Sequence, residues 1–137
     1  MENNTHTHDG SLIGITINGV DIRLTIAKEG KSFYIDLVNV SVFKADNFLF
    51  GNIIFETRTK NIGYMSENEL TNLLEPLIEE GLTNSVVLER YISERKLYFE
   101  LNPSYGCQIT SICDNVEYKE MNCSPLKPFG SAGTPQG

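Results

Sequence analysis

The sequence has no tryptophan, three cysteines and two histidines, and nowhere reaches the ~20 consecutive apolar residues that a membrane span requires. Both histidines, His6 and His8, lie in the opening stretch MENNTHTHDG, so this reading assigns no imidazole to the folded body, where a triad base or proton relay would sit. An odd number of cysteines does not form the paired framework of a small secreted scaffold, and a reducing cytoplasm is the expected location. His6, His8 and Asp9 have no closing ligand at zinc-finger spacing from Cys123, so no metal site is expected. Glycine-rich phosphate cradles of the GxGxxG and GxxxxGK[ST] types are missing, and no cofactor is expected.

Positive charge is also scarce. Eleven Lys and Arg stand against 18 Asp and Glu, a formal net charge of -7, so the average field repels phosphate backbones and anionic lipid headgroups. The expectation is no nucleic-acid partner and no membrane partner. The opening residues carry neither a basic start nor an apolar stretch, which predicts a soluble chain not exported by a cleaved leader.

A chain of 137 residues with 40% hydrophobic content suffices for one core. Residues 1–10 and the Pro, Gly and Ser-rich residues 121–137 lack apolar periodicity and are read as flexible tails around a single domain, 11–120. Within it, Ile13, Ile15 and Ile17, then Val20, Ile22, Leu24 and Ile26, alternate with polar or small residues around Asn18-Gly19. A two-residue Asn-Gly loop would pair Ile17 with Val20, Ile15 with Ile22 and Ile13 with Leu24, placing all these apolar side chains on one face. Phe33, Ile35 and Leu37 keep one parity and Val38, Val40 and Val42 the other, which predicts one long strand bulged at Leu37-Val38. Ile53, Phe55 and Thr57 mark a fourth strand.

Ser66-Glu67-Asn68-Glu69 is a capping box, and Leu70, Leu73, Leu74, Leu77 and Ile78 form a helical stripe behind it. Pro76 predicts a kink near Leu74, and Gly81 a stop. Asn84 or Ser85 can cap a second helix presenting Leu88, Tyr91, Ile92 and Arg95, after which Leu97, Phe99 and Leu101 resume strand alternation. The turn Asn102-Pro103-Ser104-Tyr105-Gly106 leads into a last strand in which Cys107, Ile109, Ser111 and Cys113 share a face. The two thiols would lie ~20 Å apart, beyond disulfide reach, and are read as buried apolar groups. The fold expected is α+β: a curved or bulged antiparallel sheet of about six strands in the order ββββ-αα-ββ, with two helices on one face.

Two stretches suit a binding surface: the acidic helix face of Glu67, Glu69, Glu75, Glu79 and Glu80, and the aromatic loop with Phe48 and Phe50. With no visible catalytic histidine, metal spacing or phosphate loop, the reading is a non-enzymatic protein-binding module, in the form of a bacterial immunity-type protein neutralising a basic partner. One alternative is a small carboxylate- or metal-dependent hydrolase using Asp21, Asp36, Glu56 or Glu100 from strand faces. Another is a homo-oligomer paired through a strand edge.

Overall fold

The computed structural model describes residues 2–4 and 7–120, so the expected C-terminal tail and Cys123 lie outside the described residues, as does His6. Alternating apolar residues build three consecutive strands, β2 (Ser11–Asn18), β3 (Asp21–Lys28) and β4 (Lys31–Val38), of which β3 buries Ile22, Leu24 and Ile26 on one face. The pairing of β2 with β3 corrects the expected register: Asn18 faces Asp21, Ile17 faces Ile22 and Ile15 faces Leu24. The two-residue loop is therefore Gly19-Val20, because the turn takes its positive φ of 64° at its first central position, where glycine is needed. A register shift between Leu12 and Gly14 leaves Ile13 as an extra residue, 55% exposed, and Ile17 is 65% exposed near the strand end. The hairpin's apolar residues thus do not all face the core.

Six further strands complete the sheet: β1 (Glu2–Asn4), β5 (Val42–Asp46), β6 (Asn52–Asn61), β7 (Leu97–Tyr105), β8 (Gln108–Cys113) and β9 (Asn115–Glu120). All pairings are antiparallel, in the order β5-β8-β7-β6-β2-β3-β4-β9, with β1 added on β6. The α+β class stands, but nine strands among the described residues replace the expected six or so. The long strand expected through Leu37-Val38 ends at Val38; Asn39, at φ 53°, turns the chain and β5 begins at Val42. β1 has no alternation to announce it, and β9 has only Val116 and Tyr118, which alternate with polar residues and pack against the core.

Although β5 and β9 are the two ends of that order, β5 continues β4 and β9 continues β8. The β4–β9 ladder ends at Val38 opposite Asn115, and the β5–β8 ladder begins at Val42 opposite Ile112. Across the gap, the Asp114 N–H donates to the Val38 carbonyl at 2.9 Å and the Ser41 N–H to the Ile112 carbonyl at 2.8 Å. One bent ladder therefore runs through both pairs, and the sheet closes on itself as a barrel. The N-terminal residues extend the β2–β6 seam: β2 meets β6 only at Ser11 and Leu12, while β1 pairs with Thr57, Arg58 and Thr59 further along. Between them the Asp9 N–H donates to the Ile54 carbonyl at 2.8 Å and Thr7 is buried, so residues 7–10 are held by backbone bonds without any apolar pattern.

The barrel interior holds Leu12, Leu24, Ile35, Leu37, Ile54, Phe99 and Ile109, each at most 1% exposed. Outside it, Val42, Tyr98 and Ile112 form an apolar strip on β5, β7 and β8 that the helices cover with Leu74, Leu77 and Tyr91. The capping box forms: Ser66 Oγ accepts from the Glu69 N–H, and Glu69 Oε1 accepts from the Ser66 N–H. The segment runs as α1 (Glu67–Glu69), a π-helical stretch (Leu70–Leu74) and α2 (Glu75–Glu79). Pro76 lies just beyond the widened turn, in the first turn of α2, so its missing N–H and its ring are accommodated by a bulge in the ladder. Gly81, at φ 79°, ends the segment with the Leu82 N–H donating to the Leu77 carbonyl, and Asn84 caps α3 (Ser85–Ser93) through the Val87 N–H. No helix among the described residues is long and apolar enough to cross a membrane.

On the outer face of β3, β4 and β9, Asp36 is 3% exposed and accepts from Arg23 Nε at 2.7 Å, Arg23 Nη2 at 2.9 Å and Lys119 Nζ at 2.9 Å. Burial alone would raise its pKa, but the hydrogen bonds from Arg23 and Lys119 outweigh that and hold the carboxyl below its ordinary 3.8.

Two outcomes follow for stability. Leu24→Ala costs about 2–5 kcal/mol in urea unfolding, whereas Ile17→Ala stays within about 0.5 kcal/mol; an all-inward hairpin, burying both, would make the two losses comparable. The depressed carboxyl of Asp36 contributes stability that is complete above pH 3.8 and is lost as pH falls through the lower folded value. Urea titrations across pH 5 to 2 therefore show a shallower acid loss for Asp36→Asn, which starts from a lower stability at neutral pH.

Candidate functional site

Five residues, Asn47 to Gly51, connect β5 to β6. Asn47 takes φ 65°, the left-handed region that asparagine tolerates better than most residues. The loop's shape is set by the next side chain, Asn52, which is 2% exposed. Its Oδ1 accepts from the Leu49 N–H at 2.7 Å and the Cys107 N–H at 3.1 Å, and its Nδ2 donates to the carbonyls of Leu49 at 2.6 Å and Leu12 at 3.2 Å. One amide thereby ties the loop to β2 and to the β7–β8 turn. That turn approaches only because residue 106 is glycine: it takes φ 90°, and a Cβ there would lie 2.5 Å from Asn52 Oδ1.

Pinned from beneath, the loop presents its apolar side chains outward. Phe50 is fully exposed, Phe48 is 47% exposed and Leu49 37%. Ile53, Phe55 and Tyr105 are exposed as well, and Ile53 stands in the ladder between Ser11 of β2 and Tyr105 of β7. His8 packs edge-on against Phe55 with ring centroids 5.6 Å apart, and its Nδ1 donates to the Phe55 carbonyl at 2.6 Å. The expectation of no imidazole on the folded body is thus corrected: backbone bonds around Asp9 fix the residue beside it. Exposed apolar side chains gathered on one rim are the usual mark of a contact surface.

Of the residues expected to bind a partner, Phe48 and Phe50 meet on this loop. Glu67, Glu75 and Glu79 are exposed along the helical segment. Glu69 is occupied by its capping box and by Lys60, 3.1 Å away; those hydrogen bonds hold its carboxyl below the usual range. Glu80 lies 2.6 Å from Lys44, which also reaches Asp46 at 3.2 Å. That bridge joins the end of the acidic segment to the strand leading into the aromatic loop, so the two expected surfaces adjoin at Glu80.

Among the strand carboxylates, Glu56 and Glu100 come together: Asn102 Nδ2 donates to Glu100 at 2.7 Å and to Glu56 at 3.3 Å, and Arg58 lies 3.0 Å from Glu56. Asp21 accepts from the Asn39 N–H on a different part of the barrel, and Asp36 is enclosed by Arg23 and Lys119. Cys107 and Cys113 are fully buried; burial, aided by Asp46, raises the Cys107 thiol, and burial pushes Cys113 up to about 12. Both are held as unreactive thiols at neutral pH. Among the described residues, no three His, Cys, Asp or Glu side chains converge as metal ligands. The cleft between Pro76 and Tyr98 holds about 200 Å³ and that beside Phe33 and Tyr118 about 240 Å³, both under the ~300 Å³ at which small-molecule pockets begin.

Sequence reading passed over Asn52, Ile53 and Tyr105. The run Ile53-Ile54-Phe55 carried a signal, since consecutive apolar residues on a strand must send some of them to the outer face. No protein-family model, curated protein or solved structure matches this chain.

Replacing Asn52 by alanine strands the Leu49 and Cys107 N–H groups and the Leu12 carbonyl. Asn52→Ala is expected to cost about 2–4 kcal/mol in urea unfolding and to speed chymotrypsin cleavage at the Phe48–Phe50 loop. An unchanged cleavage rate in native buffer would show that the amide does not hold the loop.

Proposed function

We propose that the protein is a non-enzymatic protein-binding module whose docking surface is the aromatic loop and whose acidic helical segment steers a basic partner toward it. The observation that carries this reading is Phe50, fully exposed on a loop fixed from below by buried Asn52. An apolar ring costs solubility when displayed this way, whereas a loop backbone already fixed before contact loses little freedom on binding. Phe48, Ile53 and Tyr105 supply neighbouring apolar contact, and Glu75, Glu79 and Glu80 supply negative charge that raises the rate of encounter with a basic surface. Neutralisation of a basic toxin by an immunity-type protein is the form of binding that suits these features.

The hydrolase alternative would rest on Glu56 and Glu100. Both are engaged by Asn102, and Glu56 also by Arg58, which makes the pair read as a structural polar cluster on β6 and β7.

A photo-crosslinking phenylalanine analogue placed at position 50 is expected to trap one protein in the native cell, while the same analogue at Val86, exposed on α3, traps none. Phe50→Ala should weaken that complex at least tenfold, about 1.4 kcal/mol, without changing the unfolding midpoint. Charge reversal of Glu75 and Glu79 should slow association and leave dissociation nearly unchanged. Equal trapping at both positions would remove the aromatic loop from the interface.

A further inference from the structure

We infer that the cleft between the helical segment and strands β7 and β8 takes the side chain of one arginine from the basic partner, with buried Glu100 as its counter-charge. This rests on the binding role proposed above and names the anchor that the partner presents. The cleft lies at the same end of the barrel as the aromatic loop: Gln108 opens β8, Asp46 ends β5 opposite it, and the loop begins at the next residue, Asn47. Its walls include Lys44, Glu80, Tyr98, Glu100, Gln108 and Thr110, and its volume of about 200 Å³ suits one long side chain better than a free small molecule.

Glu100 is 8% exposed, yet among the described residues it forms no ion pair. Its cross-strand neighbour Arg58 lies 3.0 Å from Glu56 instead, Lys44 is taken by Glu80 and Asp46, and Lys60 by Glu69. Asp36, also buried on the outer wall of the barrel, shows the contrast, because Arg23 and Lys119 enclose it. A buried carboxylate without a cation is costly, so a cation brought from outside is favoured there. The group is already oriented for one: Asn102 Nδ2 donates to Glu100 Oε2 at 2.7 Å, and Gln108 Nε2 donates in turn to Asn102 Oδ1 at 3.1 Å. Neither amide carries charge, so they fix the carboxylate without neutralising it.

The surroundings favour a cation as well. Asp46, Glu56, Glu80 and Glu100 stand around the cleft against Lys44 and Arg58. Burial first, and the charge of Glu100 second, push the Tyr98 hydroxyl above its ordinary range, so it stays neutral beside the carboxylate. Arginine suits the place better than lysine. Its guanidinium is less strongly hydrated than an ammonium, loses less on entering a narrow cleft, and meets a carboxylate through two N–H groups at once. A carboxylate has about four acceptor sites, and the Asn102 amide takes one of them.

The probe is N-acetylarginine methylamide, titrated into the full chain and followed by amide NMR shifts. Its neutral isostere, the citrulline derivative, and its lysine counterpart serve as comparisons. The expected result is saturable shifts at Glu100, Gln108 and Thr110 with arginine, weaker binding with lysine and none with citrulline at the same concentration. Glu100→Gln should lower the affinity at least tenfold while leaving the unfolding midpoint unchanged or raised, since no cation is orphaned by the change. Asn72→Trp, at an exposed position on the rim, should block the cleft with Glu100 intact. Binding that citrulline reproduces, that lysine equals, or that survives both substitutions overturns the inference. So does a lowered midpoint for Glu100→Gln with arginine binding intact, which would make the carboxylate structural. If crosslinking at position 50 traps a partner whose affinity Asn72→Trp leaves unchanged, the binding role survives and the arginine anchor falls. If arginine fills the cleft but position 50 traps nothing, the guanidinium site stands and the docking role of the loop falls.

Discussion

The molecule depends on one constraint: the bent ladder in which β4 and β5 meet β9 and β8 must stay continuous through the turn at Asn39–Ser41. The Val38 and Ile112 carbonyls keep partners across the gap, so the sheet can change direction without leaving buried backbone groups unpaired. Closing the sheet gives Leu24, Ile35, Phe99 and Ile109 a shared interior. It also turns the opposite faces of β5, β7 and β8 outward as an apolar strip, and the helices exist to cover that strip. A chain of this size thus obtains two apolar layers from a single sheet, with Cys107, just before β8, and Cys113, at its end, sealed in the inner one.

Much of this was legible in the sequence where one physical cause acted alone. The capping box at Ser66, the stop at Gly81 and the Asn84 cap are local hydrogen-bonding devices, and each forms where its residue types stand. Burial of Cys113 follows from the period of two along β8, while Cys107, expected on the same strand, is buried in the turn just before it. The hairpin register is ambiguous in the sequence because two devices compete at Asn18-Gly19-Val20: an asparagine-glycine pair favours one loop, a glycine at the first loop position another, and the backbone takes the second. β1 is hidden for a different reason: its strand state comes from β6, which needs hydrogen-bond partners, and such a cause leaves no mark on residue type. β9 carries a mark too short to stand out, Val116 and Tyr118 alternating with polar residues and packing against the core.

The candidate surface divides in the same way. Phe48 and Phe50 stood out as an apolar cluster in a turn, and the glutamates as one face of a helix. That the two adjoin through Lys44 and Glu80 is a tertiary fact, invisible along the chain. Asn52 was hidden for the converse reason: an asparagine beside a turn is ordinary, and only the approach of Gly106 and Leu12 makes its amide the fastening point of three segments.

The seam between β2 and β6 is two residue pairs long before β1 takes over further along β6. Every other neighbour in the closed sheet is stitched over a longer run. A pull on the first residues would therefore peel the wall one bond at a time along this line, as a zip opens, with the remaining staves still joined. Attachment at this end to a support or a fused domain would load the barrel at its thinnest join, next to the rim that carries the aromatic loop.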